Sequence, residues 1–206
     1  MNIQSRLLTI CLAAAALCTL AAASAQAAVV STSYSNTTPV AICDLCTVTS
    51  VLNVSTHGRV LDIDALIDIT HSYNNDLTIS LSHGGTSVLL SNRQGGSGGA
   101  NYTNTVFDDQ AGVSIDAGWA YAPYTGSFRP QEALVAFLDR DVFGLWTLVV
   151  TDHEAGDNGS INRFGLGVVA EAAAEVPEPG SLALFGAALA GFTGVSRTAR
   201  ARTRVR

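Results

Sequence analysis

The chain has 206 residues, 48% of them hydrophobic and 14% charged, with 19 glycines and no lysine. It is too apolar and too weakly charged for a disordered polymer, and residues 28–176 are long enough to enclose one sizeable core. That stretch carries five arginines against 16 acids, a formal net of −11, which excludes nucleic acid as a partner because phosphate binding relies on Lys and Arg.

Residues 1–27 have the three parts of a secretory signal peptide. Arg6 makes the n-region positive, Leu7 to Ala23 form an apolar run, and Ala25-Gln26-Ala27 offers a small-x-small site for a Sec signal peptidase. Cys11 and Cys18 leave with this leader. Residues 28–59 are expected to supply the first strands of the mature chain. Within them Cys43-Asp44-Leu45-Cys46 is the one cysteine pair that remains. An exported β-protein without a βαβ context favours a local structural disulfide over a redox motif. One such pair is too few for a zinc site.

Leu61, Ile63, Ala65, Ile67 and Ile69 alternate with Asp62, Asp64, Leu66, Asp68 and Thr70, a period of two that predicts a strand with one wet face. Leu77, Ile79 and Leu81 alternate likewise, and Gly84-Gly85 turns the chain into a further strand over 86–91. From Asn92 to Thr105 the composition allows neither strand nor helix, and a mobile surface loop is expected. Gly95-Gly96-Ser97-Gly98-Gly99 satisfies G-x-S-x-G, but the motif works on a strand-to-helix turn and no helix follows. His71 reads as a strand-end hydrogen-bonding residue and His83 as a turn residue.

Trp119, Tyr121 and Tyr124 cluster with Phe128, either as packing or as a surface for stacking on a sugar or a partner. A helical turn is expected near 132–137, then strands over 145–151 and 163–168. Short strands, Gly-rich turns and the lack of an amphipathic helix indicate an all-β antiparallel sandwich.

The C-terminal end has three parts: a linker over 171–180 with Val176-Pro177-Glu178-Pro179, an apolar stretch over 181–196 expected to be a short helix, and an Arg-rich tail over 197–206. The apolar run is shorter than the roughly 20 residues of a comfortable bilayer span, but snorkelling arginines suit a transient inner-membrane anchor. This order resembles the PEP-CTERM sorting signal of Gram-negative bacteria. The resemblance implies processing by an exosortase-type enzyme and delivery to the cell surface or extracellular matrix through a membrane-anchored intermediate.

Four further segments resemble the P domain (P/Homo B domain) of subtilisin-like proprotein convertases. They are Ile67-Asp68-Ile69-Thr70-His71-Ser72-Tyr73-Asn74-Asn75-Asp76-Leu77-Thr78-Ile79-Ser80-Leu81, Asn104-Thr105-Val106-Phe107-Asp108-Asp109, Pro130 to Asp139 followed by Gly144-Leu145-Trp146-Thr147-Leu148, and Val150-Thr151-Asp152 through Gly156-Asp157-Asn158-Gly159-Ser160-Ile161. The resemblance implies a jelly-roll-like β-sandwich over 60–170. Family members usually carry this domain behind a subtilisin-like catalytic domain, for which this chain has no room, so a non-catalytic binding or structural module is expected. The alternatives are an accessory of a separate subtilisin-like serine endopeptidase, and an exopolysaccharide-binding module that uses the 119–128 aromatics.

Asp76, Asp108, Asp109, Asp152 and Asp157 all fall at turns of the matching segments. A single Asp there often caps its own backbone. As a group, oxygen donors at strand-end loops suit calcium, which takes six to eight of them, and metal binding by bacterial P domains implies the same.

Overall fold

The computed structural model describes residues 27–117 and 119–172, without the side chain of Trp119. Residues 1–26 of the expected signal peptide over 1–27, the sorting motif Val176, Pro177, Glu178 and Pro179, the apolar stretch and the Arg-rich tail lie outside the described residues.

Alternating apolar and polar side chains build ten strands among the described residues: β1 (Val29–Asn36), β2 (Val40–Ile42), β3 (Thr47–Val54), β4 (Gly58–His71), β5 (Leu77–His83), β6 (Thr86–Asn92), β7 (Tyr102–Phe107), β8 (Tyr124–Phe128), β9 (Gly144–Asp152) and β10 (Gly159–Ala172). They form two sheets. One has the order β1-β10-β4-β7-β8, with β2 also paired to β10, and the other has the order β3-β9-β5-β6. The helical turn expected near 132–137 is a 3-10 turn at Leu134–Phe137.

The core lies between the sheets. Ile63, Ala65, Ile67 and Ile69 of β4 and Phe164, Leu166 and Val168 of β10 point inward from the first sheet, all at most 3% exposed. Leu77, Ile79 and Leu81 of β5 and Trp146, Leu148 and Val150 of β9 meet them from the second, all fully buried. Each such aliphatic side chain contributes about 1.5–3 kcal/mol by leaving water.

Five features depart from the sequence reading. The stretch from Asn92 to Thr105, expected to be neither strand nor helix, enters β7 at Tyr102. The sandwich is not wholly antiparallel, because β7 and β8 run parallel. A parallel pair needs a crossover of a dozen or more residues, and the connection over 108–123, with 3-10 turns at Ile115–Ala117 and Trp119–Tyr121, supplies it. In β4 the alternation slips at Leu61. The pairing with β10 passes from Asp62↔Val169 to Val60↔Ala170, so Leu61 is the extra residue of a bulge and Val60 takes the buried place.

His83 is a core residue, not a turn residue. Its ring stacks on Trp146 at 3.9 Å and 2°, with Nδ1 2.9 Å from the Leu145 carbonyl oxygen and Nε2 2.8 Å from that of Asp141. The Gly-rich stretch after β6 is pinned to the body. The backbone N–H of Asn74 donates to the Gly99 carbonyl at 2.8 Å, that of Asn101 donates to the His71 carbonyl at 3.1 Å, and the Asn101 Oδ1 accepts the His71 N–H at 3.0 Å. Gly95 and Gly99 are buried beneath this clasp. A Cβ on Gly95 would stand 2.9 Å from the Asn74 Cβ, and one on Gly99 would overlap the Gly95 carbonyl oxygen. Glycine there serves close packing.

Candidate functional site: the acidic strand ends

Four strand ends meet at one end of the sandwich. β4 stops at His71, β5 starts at Leu77, β9 stops at Asp152 and β10 starts at Gly159. The register sets Leu77 opposite Asp152 and His71 opposite Gly159. Between β4 and β5 the 3-10 turn Asn74–Asp76 is held by the Asp76 N–H to the Tyr73 carbonyl at 3.2 Å, and the Asp76 carbonyl accepts the His153 N–H at 3.0 Å. Asp76 and Asp152, far apart in sequence, are thereby drawn into one buried cluster with His71 and Asn74; all four are at most 4% exposed.

This cluster holds two carboxylates and one histidine below the surface. Burial pushes the Asp76 carboxyl above the usual carboxylate range, and the charges of Asp152 and Asp157 push the same way, while His71 opposes them. One oxygen of Asp152, Oδ1, accepts the Glu154 N–H at 3.1 Å. The other, Oδ2, faces His71 Nε2 at 3.4 Å as a buried ion pair, and neither atom makes a hydrogen bond. His71 Nδ1 faces the Tyr73 carbonyl oxygen at 2.9 Å. Asn74 donates through Nδ2 to the Asn101 carbonyl at 2.8 Å, and its Oδ1 is buried without a partner. Leaving a buried polar atom without a hydrogen bond costs about 1–3 kcal/mol, and more for a charge. Asp157 stands at its exposed margin, where Oδ1 accepts the Ser72 hydroxyl at 2.5 Å.

Asp108 and Asp109 belong to a different group. The β4–β7 register puts Phe107 opposite Ala65, so these two acids lie near Asp64, seven residues and about 23 Å along β4 from His71. One ion cannot be shared by all five predicted ligands. Asp109 accepts the N–H groups of Leu134 and Val135 at 2.9 Å each, and Asp108 Oδ1 accepts the Gln110 N–H at 2.6 Å. Asp64 was missed by sequence reasoning, which placed it on a wet strand face. Burial, followed by the charges of Asp108, Asp62 and Asp109, raises its carboxyl to about 6, and its Oδ1 is buried and unpartnered. The recurring Asp62, Asp64 and Asp68 on one strand face was the available signal. Among the described residues no group of three or more His, Cys, Asp or Glu is so placed that these side chains alone would hold a metal. Calcium also takes amide and backbone carbonyl oxygens, and the buried Asn74 amide oxygen is a donor type that the sequence reading did not weigh.

The remaining predicted residues separate clearly. Cys43 and Cys46 are bridged, with Cα atoms 5.6 Å apart. Their turn touches the acidic loop: the Asp152 N–H donates to the Cys46 carbonyl at 2.9 Å, and the Gly156 N–H donates to Asp44 Oδ2 at 3.2 Å. Tyr124 is fully buried, with its ring stacked on Tyr102 at 5.2 Å and edge-on to Phe128 at 5.4 Å, so it belongs to the core and offers no stacking surface. Tyr121 is 44% exposed and edge-on to Phe128 at 6.0 Å. The side chain of Trp119 lies outside the described residues.

Ser97 is exposed, and among the described residues no hydrogen bond links it to a histidine. His57 is the histidine best placed for surface chemistry: its ring stacks on Phe143 at 4.1 Å, and Nδ1 lies 2.6 Å from Asp141 Oδ2. Desolvation would raise the Asp141 carboxyl, but bonds from His57 and from the Gly58 and Phe143 N–H groups outweigh it and lower it to about 2. The neighbouring hydroxyls of Tyr34 and Thr56 bond each other at 2.7 Å, and among the described residues no hydrogen bond links either hydroxyl to the His57–Asp141 pair.

Residues 60–168 match the family model of the proprotein convertase P-domain, and residues 175–197 match that of the PEP-CTERM protein-sorting motif. No curated protein matches the chain. Among solved structures, a serine protease of Aeromonas sobria in complex with the chaperone aligns with a TM-score of 0.47 and 19% identity, over 71% of this chain and 28% of the other. The serine protease of Aeromonas sobria solved separately gives 0.46 and 18%, over 70% and 27%. The chain thus spans under a third of the length of these structures.

Proposed function

Because this chain belongs to the proprotein convertase P-domain family, we propose that it acts as a non-catalytic β-sandwich module stiffened by calcium at its acidic strand ends. The family and the sorting motif together make it an exported module directed to the cell surface, and the motif implies an exosortase-type enzyme as its processor. Removal of the leader by a Sec signal peptidase, and a membrane-anchored stage that uses the apolar stretch and arginines, complete the route we infer.

The observation that carries the calcium reading is the buried cluster in which oxygens of Asp152 and Asn74 make no hydrogen bond beside the raised carboxyl of Asp76. Asp76, Asp152 and the Asn74 amide oxygen would hold the ion, with Asp157 at the margin. The cation would supply the positive charge that lets two carboxylates stay ionised under the sandwich surface. It would also tie the β4–β5 turn to the β9–β10 loop, joining the two sheets at this end. Asp108, with Oδ1 on the Gln110 N–H, and Asp109, with both oxygens on backbone N–H groups, lie away from this cluster and fall outside this set.

Melting the full chain in calcium and in EGTA tests the reading. A ligand at a hundred times its dissociation constant stabilises by about 2.7 kcal/mol, roughly 5–11 °C for a domain of this size. Asp76→Asn and Asp152→Asn should abolish the difference, and Asp108→Asn should leave it intact. A midpoint indifferent to calcium refutes the proposal.

A further inference from the structure

The outer face of the β3-β9-β5-β6 sheet stands apart from the rest of the molecule in charge. Its four strands read TVTSVLNV, GLWTLVVTD, LTISLSH and TSVLLSN, and Asp152, their one acid, is buried and points away from this face. The described residues hold 15 acids against five arginines. The opposite sheet shows Asp62, Asp64 and Asp68 on its outer side, yet this face carries only hydroxyl, amide and aliphatic groups. The register orders them in rows across the strands. One row runs Thr47–Thr151–Thr78 and another Val51–Thr147–Ser82. The hydroxyls of Thr47 and Thr151 bond each other at 2.9 Å. Val51 and Leu145 are 47% and 61% exposed. At the β5–β6 turn the face opens into a hollow of about 330 Å³ lined by Ser82, Thr86, Ser87, Leu145, Thr147, the Gly84-Gly85 turn and the mostly buried His83. Glu132 at the β6 edge and His153 beside Thr78 mark its borders.

We propose that this face binds a neutral, hydroxyl-rich polymer, a chain of uncharged sugars. Threonine offers a donor, an acceptor and a methyl group together, and the rows repeat them about 4.8 Å apart across strands and about 6.8 Å along them. Uncharged sugars present the matching mixture of hydroxyl rims and C–H faces. No ion has to be desolvated on either side, and the hollow has the size of a small ligand pocket. Charge selects against the other occupants. An anionic polymer meets the surplus of acids around the face, and a second copy brings the same surplus with it. Area also disfavours a second copy: the face covers roughly 400 Å², against about 800 Å² per partner in a stable dimer. A polymer compensates for a small contact by repetition. The inference rests on the sheet face alone and is independent of the calcium site.

Affinity electrophoresis of the full chain tests it, with mobility in gels containing hydroxyethyl cellulose, dextran or alginate compared with mobility in plain gel. Retardation is expected in at least one neutral gel and none in alginate. Thr147→Asp should raise the apparent dissociation constant about tenfold or more. So should Leu145→Asp, which sits at an exposed position where unfolding is not expected. Tyr121→Ala should leave it unchanged. Absence of retardation in both neutral gels overturns the proposal. So does retardation that survives both face substitutions or that is lost in Tyr121→Ala, and so does light scattering that shows a dimer disrupted by Leu145→Asp.

Discussion

Asn101 decides whether the Gly-rich stretch after β6 is clasped to the sandwich. Its φ is +66°, in the left-handed region that asparagine tolerates and alanine does not. Its Oδ1 accepts the N–H of buried His71 at 3.0 Å, its own N–H donates to the His71 carbonyl, and its carbonyl accepts Asn74 Nδ2. Asn101→Ala removes the acceptor for a buried N–H, a loss of about 1–3 kcal/mol, and forces alanine into the left-handed region for about 1 kcal/mol more. The expected destabilisation is about 2–4 kcal/mol, or roughly 4–16 °C in the melting midpoint. Asn101→Gly keeps the backbone at ease and should recover about 1 kcal/mol of this. Urea unfolding gives the free energies, and amide exchange over 95–99 should accelerate in both variants. A loss under about 0.5 kcal/mol for Asn101→Ala, or equal losses for alanine and glycine, would refute the clasp.

Two further expectations concern single side chains. Folding raises the Asp64 carboxyl from 3.8 to about 6, so the folded chain binds that proton more tightly than the unfolded one. Stability from this group is therefore greatest below the unfolded value and falls as pH climbs through about 6. Asp64→Asn should stabilise by about 1–2 kcal/mol at pH 7, a figure already reduced for partial exposure. Urea midpoints should show the gain shrinking toward pH 4, and a pH-independent gain would contradict the stated cause. A Cβ on Gly159 would overlap the Thr70 carbonyl oxygen and stand 2.8 Å from His71 Cδ2. Gly159→Ala should cost about 3 kcal/mol in urea unfolding, whereas Gly112→Ala, with nothing within 4 Å, serves as the neutral control.

The candidate site was half legible. Asp76, Asp152 and Asp157 stood out as turn acids inside matching segments, and the structure gathers them. Asp108 and Asp109 looked identical by that criterion, but they cap a 3-10 turn and a loop on another part of the sheet. Turn acids that gather with other acids and turn acids that face backbone N–H groups have the same local sequence, because both follow a strand and precede a reversal. Tyr124 shows the same limit for aromatics: its neighbours are polar and flexible in composition, yet Tyr102 and Phe128 enclose it.

Period-two alternation in 61–70, 77–82 and 163–168 was enough to indicate a β-sandwich, and the C-terminal motif announced export and sorting without any fold. Those properties are written in short windows, where the solvent exposure of one side chain constrains its next neighbour. The bulge at Leu61, the burial of His83 against Trp146, the parallel pairing of β8 and the meeting of Asp76 with Asp152 belong to the tertiary structure. Each depends on which strand lies beside which, as when Leu77 pairs with Asp152. That choice is settled by the packing of the whole core, an energy that no local stretch of residues contains.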